Sequence, residues 1–172
     1  ADDELLSIGE GEAAQAWPLD ALPTVDAVPW QDLRAIPKAV VTGSNGKTTT
    51  VRLLAAMLGA HGLRAGYSST DGLFVDGVSV EAGDYSGPVG ARTVLRDPRV
   101  QSAVLETARG GLLRRGLVAD DARVAVVTNV SADHFGEYGI HSLDDIAAVK
   151  LVVAKSLAAD GLLVLNADDV ML

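Results

Sequence analysis

The sequence predicts an α/β domain: a largely parallel sheet with helices on both faces and one small β-hairpin. Three observations lead there. Short apolar runs recur without polar alternation, at Ala39–Val41, Ala103–Leu105, Val124–Val127 and Gly161–Leu165, as in strands covered on both sides. Amphipathic stretches separate them. A glycine-rich loop, Thr42–Thr49, lies directly between the first of these strands and a helical stretch, which makes the domain P-loop-type.

The elements follow in order. Residues 1–37 form an acidic, proline-containing leader. Up to Leu33 it carries eight acidic residues and no Lys or Arg, with Trp17, Trp30 and four of the six prolines in or just after that stretch. That proline density forbids a long helix, so the leader is expected to run extended. It is either strapped over the surface by its apolar residues or left over from a preceding domain. Residues 38–172 hold the α/β domain. Ala39–Val41 is its first strand, and a helix runs from Thr48 to about Leu58, stopped by Gly59 and Gly62 with His61 at the cap. Ala65–Ser69 is the next strand. Leu73–Val75 and Val78–Val80 flank Asp76-Gly77, the signal of a type I′ hairpin. Ala103–Leu105 and Val124–Val127 are further buried strands. Ser142, with Asp145 three residues on, forms a capping box opening a helix whose stripe is Ile146, Val153 and Leu157. Lys150 falls inside that stripe and Lys155 opposite it. Gly161–Leu165 is the last strand.

Composition narrows the class. The 172 residues are 48% apolar, enough for a real core. Fourteen Lys and Arg against 23 Asp and Glu leave a net charge of −9, the wrong sign for a nucleic-acid binder. The absence of cysteine excludes disulfide scaffolds, thiol catalysis and Cys-based zinc sites. No apolar run reaches the ~18 residues that span a bilayer, and the first residues lack the positive charge of a secretory signal. A cytoplasmic protein without membrane or nucleic-acid partners is expected.

The chemistry gathers where the strands end. In Thr42-Gly-Ser-Asn-Gly-Lys-Thr-Thr49, the glycines permit a tight turn whose N–H groups can face phosphate oxygens. The following helix adds a favourable dipole, Lys47 a point charge and Thr48 a hydroxyl for Mg²⁺. The loop is the shorter G-x-x-G-K-T, since the first glycine of the longer phosphate-loop pattern would fall at Val41. Glu106 follows one strand and Asp133-His134 another. In an open parallel sheet the carboxyl ends of strands form the ligand crevice, so the three segments should meet on one edge. Glu106 is a candidate metal ligand, and Lys150, aimed inward from an apolar stripe, needs a partner or a task.

Together these residues resemble the central domain of the Mur ligase superfamily. The match runs through the Thr42–Thr49 loop, Val104-Leu-Glu106, Thr128-Asn-Val-Ser-Ala-Asp-His134, Lys150 and Leu165-Asn-Ala-Asp-Asp169. The segments Ser69–Val75, Gly83–Pro88 and Leu105–Leu117 are more similar to the Mur-ligase-like half of cyanophycin synthetases. The likeness extends from about Ile36 to Leu172.

The resemblance implies an ATP-dependent carboxylate–amine ligase. A substrate carboxylate takes the γ-phosphoryl group to give an acyl phosphate, and an amino acid or peptide amine then displaces phosphate. Carried over by position, Gly43, Ser44, Asn45, Gly46, Lys47, Thr48 and Thr49 hold the triphosphate. Thr48 and Glu106 bind one Mg²⁺ and His134 a second, while Asn129 and Asp133 shape the site. Lys150 matches a lysine that some Mur ligases carry as a carbamate. Lys47, Glu106, His134 and Lys150 are thus the implied catalytic set. Arg109, Arg114 and Arg115 follow Glu106, and either hold an anionic substrate or form a solvated basic face. The family's C-terminal domain is not in this chain, so it is expected in cis or on a partner. Two other readings stay open: a P-loop kinase or GTPase, and a non-catalytic nucleotide-binding subunit. Asp133-His134-Phe135-Gly136 fits the D-x-x-G of GTPases, but no Asn-Lys-x-Asp segment accompanies it. The joint presence of Lys47, Thr48, Glu106 and His134 argues against the non-catalytic subunit.

Overall fold

The computed structural model describes residues 5–132, 136 and 139–172, without the Arg115 side chain. Asp133 and His134 therefore lie outside the described residues. After a two-stranded antiparallel hairpin, β1 (Leu5–Ile8) and β2 (Gln15–Pro18), the chain builds a seven-stranded sheet. Its strands are β3 (Lys38–Thr42), β4 (Ala65–Ser69), β5 (Gly72–Val75), β6 (Val78–Ala82), β7 (Ser102–Glu106), β8 (Ala122–Val127) and β9 (Leu157–Leu165). The spatial order is β6-β5-β4-β7-β3-β8-β9. Strands β4, β7, β3, β8 and β9 are mutually parallel, and β5 and β6 extend one edge antiparallel.

Successive residues of each buried strand serve opposite faces. Val40, Ala103 and Leu105 join the cluster under α2 (Pro88–Arg96), which contributes Ala91, Val94 and Leu95; Leu112 of α3 (Arg109–Arg115) packs there too. Val41 and Val104 pack on the other face with Val51 and Ala55 of α1 (Lys47–Ala60). Helix α4 (Leu143–Leu151) adds Ile146 and Ala147 to a third cluster with Val130 and Ile140. Both sheet faces are covered, as the undecorated strands predict.

Most local expectations match. Asp76 and Gly77 take φ of 52° and 75°, the two positive values that a type I′ turn requires. Ser142 and Asp145 form the reciprocal capping box. His61 caps α1, its N–H donating to Met57 O at 3.0 Å. Lys150 is 2% exposed, inward as predicted, and Lys155 is exposed.

Three features differ. The helix after Ser142 tightens into a 3₁₀ turn over Val152–Ser156, so Leu157 opens β9 instead of extending the stripe. The pairing of Leu157 with Ala122 takes the chain out of the helix there. Helix α2 had no assignment, although Pro88 at its start and the spacing of Ala91, Val94 and Leu95 are helical signals. The leader is held by its acids and its backbone as well as by half-buried apolar residues such as Ile8 and Trp17. Val25 and Trp30 remain 72% and 54% exposed. The Glu10 carboxylate instead accepts from Ile36 N at 3.1 Å and from Lys38 Nζ at 2.6 Å. Glu12 accepts from Gln101 Nε2 at 2.9 Å and pairs with Arg64 at 3.3 Å.

Lys38 opens the central strand with a side chain only 1% exposed, so Glu10 is its counter-charge. Glu10→Ala should cost about 3–5 kcal/mol, because it leaves a buried ammonium unpaired. Glu10→Leu combined with Lys38→Met should recover most of that loss. Urea unfolding measures both, and tryptophan emission reports the leader directly, since both tryptophans lie in it.

Candidate functional site

Parallel register brings the crevice together. Val41 pairs with Glu106 and Thr42 with Val127, so β3, β7 and β8 end side by side. The Gly43–Gly46 turn leaves β3 and enters α1 through Gly46, at φ 80°. At Gly43, φ is 146°, and a Cβ there would run into Thr128 Oγ1, so only glycine fits.

The segment after β8 clamps this loop. Asn129 Oδ1 accepts from Asn45 N at 2.9 Å, and its Nδ2 donates to Asn45 O at 3.1 Å. Thr128 Oγ1 donates to Asn45 O at 2.6 Å, and Ser44 N donates to Asn129 O at 2.9 Å. Ser131 N donates to Ser44 Oγ at 2.9 Å. The loop and Thr128–Ser131 are therefore in direct contact, and Asn129 acts on the loop's backbone. With the Ser44 and Asn45 amides engaged, the orphan donors at the start of α1 are the amides of Gly46, Lys47, Thr48 and Thr49. Lys47 folds over the turn, its Nζ 3.0 Å from Gly43 O and 3.1 Å from Ser44 O.

Glu106 ends β7 at 1% exposure. Its Oε2 accepts from Thr48 Oγ1 at 2.8 Å and from Thr70 N at 3.4 Å. Its Oε1 is buried and has no hydrogen-bond partner among the described residues. Burial holds the Glu106 carboxyl above the usual carboxylate range, opposed by the Thr48 hydroxyl, the Lys47 charge and the Thr70 amide; the nearby charge of Asp84 adds to the rise. No three His, Asp or Glu side chains gather in metal-binding geometry among the described residues. The oxygen donors that meet here are Glu106 and the Thr48 and Thr70 hydroxyls.

A cleft of about 290 Å³ lies between the residues entering α2 and those of α3, and its Asp84 is near enough for its charge to bear on Glu106. Asp84, Ser86, Gly110, Gly111 and Arg114 line it. Asp84 Oδ1 accepts from Ser86 N and Oγ at 3.0 and 2.6 Å, and Ala108 N donates to Ser86 O at 2.8 Å. Of the predicted arginines, Arg114 reaches the cleft wall. No local signal in the sequence marks the contacts of Thr70, Asp84 and Asp169. Asp169 Oδ2 accepts from Val130 N at 2.6 Å and its Oδ1 from Met171 N at 3.0 Å. Those backbone bonds hold its carboxyl below the usual range and tie the Asn-Ala-Asp-Asp segment to the clamp.

Fold and site define a parallel α/β domain with a glycine-rich loop, a hydroxyl and a buried carboxylate at the carboxyl edge of its central strands. Residues 41–172 match the model of the Mur ligase middle domain, and the chain belongs to that family. It is 50% identical over 150 residues to cyanophycin synthetase of Geminocystis herdmanii, covering 87% of this chain and 17% of that protein. A solved UDP-N-acetylmuramoyl-L-alanyl-D-glutamate–2,6-diaminopimelate ligase superposes with a TM-score of 0.63 and 27% identity, over 78% of this chain and 27% of that one. E. coli FolC, solved with DHPP and ADP, gives 0.56 and 26%, over 68% and 34%. The chain thus spans a small part of the length of each relative.

Two outcomes test this geometry. Gly43→Ala should lose nucleotide binding in calorimetry and cost roughly 1–3 kcal/mol of stability, because the loop must leave its clamp. Asp169, with a depressed folded pKa, adds stability above roughly pH 4 that is lost as pH falls through that lower value. In Asp169→Asn, the stability difference from wild type should therefore be constant at neutral pH and vanish in acid. A constant difference down to acid pH would refute the role of its charge.

Proposed function

We propose that this chain is the ATP-binding centre of an amide-forming carboxylate–amine ligase of the cyanophycin synthetase and Mur ligase kind. The observation that carries the reading is the Thr48–Glu106 pair at the foot of α1, with one carboxylate oxygen buried and without a hydrogen-bond partner among the described residues. An orphaned buried carboxylate oxygen costs free energy unless something satisfies it, and a hydroxyl beside it completes an oxygen-donor set suited to Mg²⁺. These residues fit the metal. Thr48 and Glu106 would hold it, and there it would supply charge neutralisation at the phosphoryl oxygens.

The protein groups have separate tasks. The Lys47, Thr48 and Thr49 amides, at the positive end of α1, receive the triphosphate. Lys47 moves its ammonium from the Gly43 and Ser44 carbonyls onto phosphate. Asn129 and Thr128 keep the loop in place, so phosphoryl transfer meets preset donors. The substrate carboxylate approaches through the Asp84–Arg114 cleft and displaces ADP from the γ-phosphorus to form an acyl phosphate. The amine nitrogen then attacks the acyl carbon, expels phosphate and gives up a proton. The cleft's place against Glu106 supports this route, since the Asp84 charge bears on Glu106 while Asp84 lines the cleft. FolC with ADP, a relative of the same fold, supports an adenine nucleotide.

In the same reading, His134 contributes to a second Mg²⁺. Lys150, 2% exposed, is a candidate for carbamylation, which replaces a buried cation with an anion able to face metal. The leader, residues 1–37, is a segment apart from this domain, and the domain that closes the site lies in cis or on a partner chain. The reaction draws on cytoplasmic ATP. Neither the family nor the relatives favour a kinase, a GTPase or a non-catalytic subunit.

Calorimetric titration should give binding of Mg²⁺·ATP and at least tenfold weaker binding of Mg²⁺·GTP, by about 1.4 kcal/mol or more. Lys47→Ala should weaken ATP about 10–100-fold, the worth of a charge-assisted contact, with an unchanged Tm. Equal affinity for ATP and GTP, or an unaffected Lys47→Ala, would refute the reading.

A further inference from the structure

The turn from β4 to β5 carries one more residue to the Thr48–Glu106 pair. Thr70 Oγ1 lies 2.9 Å from Thr48 Oγ1, and the Thr70 amide donates to Glu106 Oε2 at 3.4 Å. Proton counting fixes the direction of the first contact. An ionised carboxylate only accepts, and Thr48 has a single hydroxyl proton, which goes to Glu106 Oε2 at 2.8 Å. The proton between the two threonines must therefore come from Thr70. Thr48 Oγ1 then gives one proton, accepts one, and keeps one lone pair.

We propose that Thr70 is a positioning residue for the divalent cation: its hydroxyl orients the Thr48 lone pair while its amide turns Glu106 so that Oε1 stays open. The inference rests on the metal reading given under Proposed function and assigns it a residue from outside the glycine-rich loop. Outer groups that bond to metal-holding side chains fix their orientation, and losing one typically costs 10–100-fold in metal affinity.

The turn is built to hold Thr70 in place. Ser69 Oγ accepts from Asp71 N at 3.2 Å, and Tyr85 N donates to Ser69 O at 2.9 Å. Asp71 also pairs with Arg52 at 3.5 Å, on α1 one turn beyond Thr48. Thr70 itself is exposed, so its side chain can change without disturbing the core. Thr70→Val keeps the backbone amide and the shape while deleting only the hydroxyl. Thr70→Ser restores the hydroxyl without the methyl.

The test is calorimetry on the 172-residue chain with two probes, Mn²⁺·ATP and ATP in excess chelator. Wild type should bind Mn²⁺·ATP more tightly than ATP alone. Thr70→Val should lose about tenfold for Mn²⁺·ATP and nothing for chelated ATP, with an unchanged Tm. Thr70→Ser should return to within about twofold of wild type. The inference is overturned if Thr70→Val binds Mn²⁺·ATP like wild type, if it loses both probes equally, or if serine fails to rescue. Wild type that binds both probes equally would instead bring down the metal reading itself, and this inference with it.

Discussion

A hydrogen bond of 2.8 Å between Thr48 and Glu106 joins residues 58 apart in sequence, and the site's other contacts are arranged around it. It forms only if α1 begins where the glycine-rich loop ends and β7 stops level with β3. Both conditions come from the sheet: Val41 lies opposite Glu106, and Thr42 opposite Val127. Slipping β7 by one residue would turn Glu106 to the other face and leave Thr48 beside an apolar side chain. The apolar residues of β3 and β7 therefore do more than fill a core. By alternating Val40 with Val41 and Val104 with Leu105 between two helix layers, they lock the register that aligns the chemistry.

Much of this was legible because the signals were local or periodic. The loop's composition, the undecorated strands, the Asp76-Gly77 turn and the Ser142–Asp145 box each act within a few residues, and each appears as expected. Lys150 could be placed inward from helical periodicity alone. What escaped depended on contacts between distant segments. Asn129 could be tied to the site, yet only the structure shows that it grips Asn45 from 84 residues away. Thr70 is one of many loop threonines until the turn carries it to Thr48. Leu157 satisfies a helical stripe and a strand equally, and pairing with β8 decides between them. The leader's acids carry no local sign of their task, because nothing in the leader announces that Lys38 is buried and needs Glu10.

The two ends of the central strands treat buried charge differently. At the foot of β3, the Lys38 ammonium meets both oxygens of Glu10, which also takes the Ile36 amide. That pair is satisfied, and its effect is to fasten the leader to the sheet. At the head of β7, Glu106 is buried as deeply, yet among the described residues its contacts converge on Oε2 and leave Oε1 without a hydrogen-bond partner. A fold selected for stability alone would replace such a carboxylate with an apolar residue, since half-satisfied buried charge is unfavourable. The β7 sequence Ser-Ala-Val-Leu is apolar enough to have continued that way. Partial compensation at one end of the sheet, with fuller compensation at the other, separates the charge proposed to hold a cation from the charge that holds the chain together.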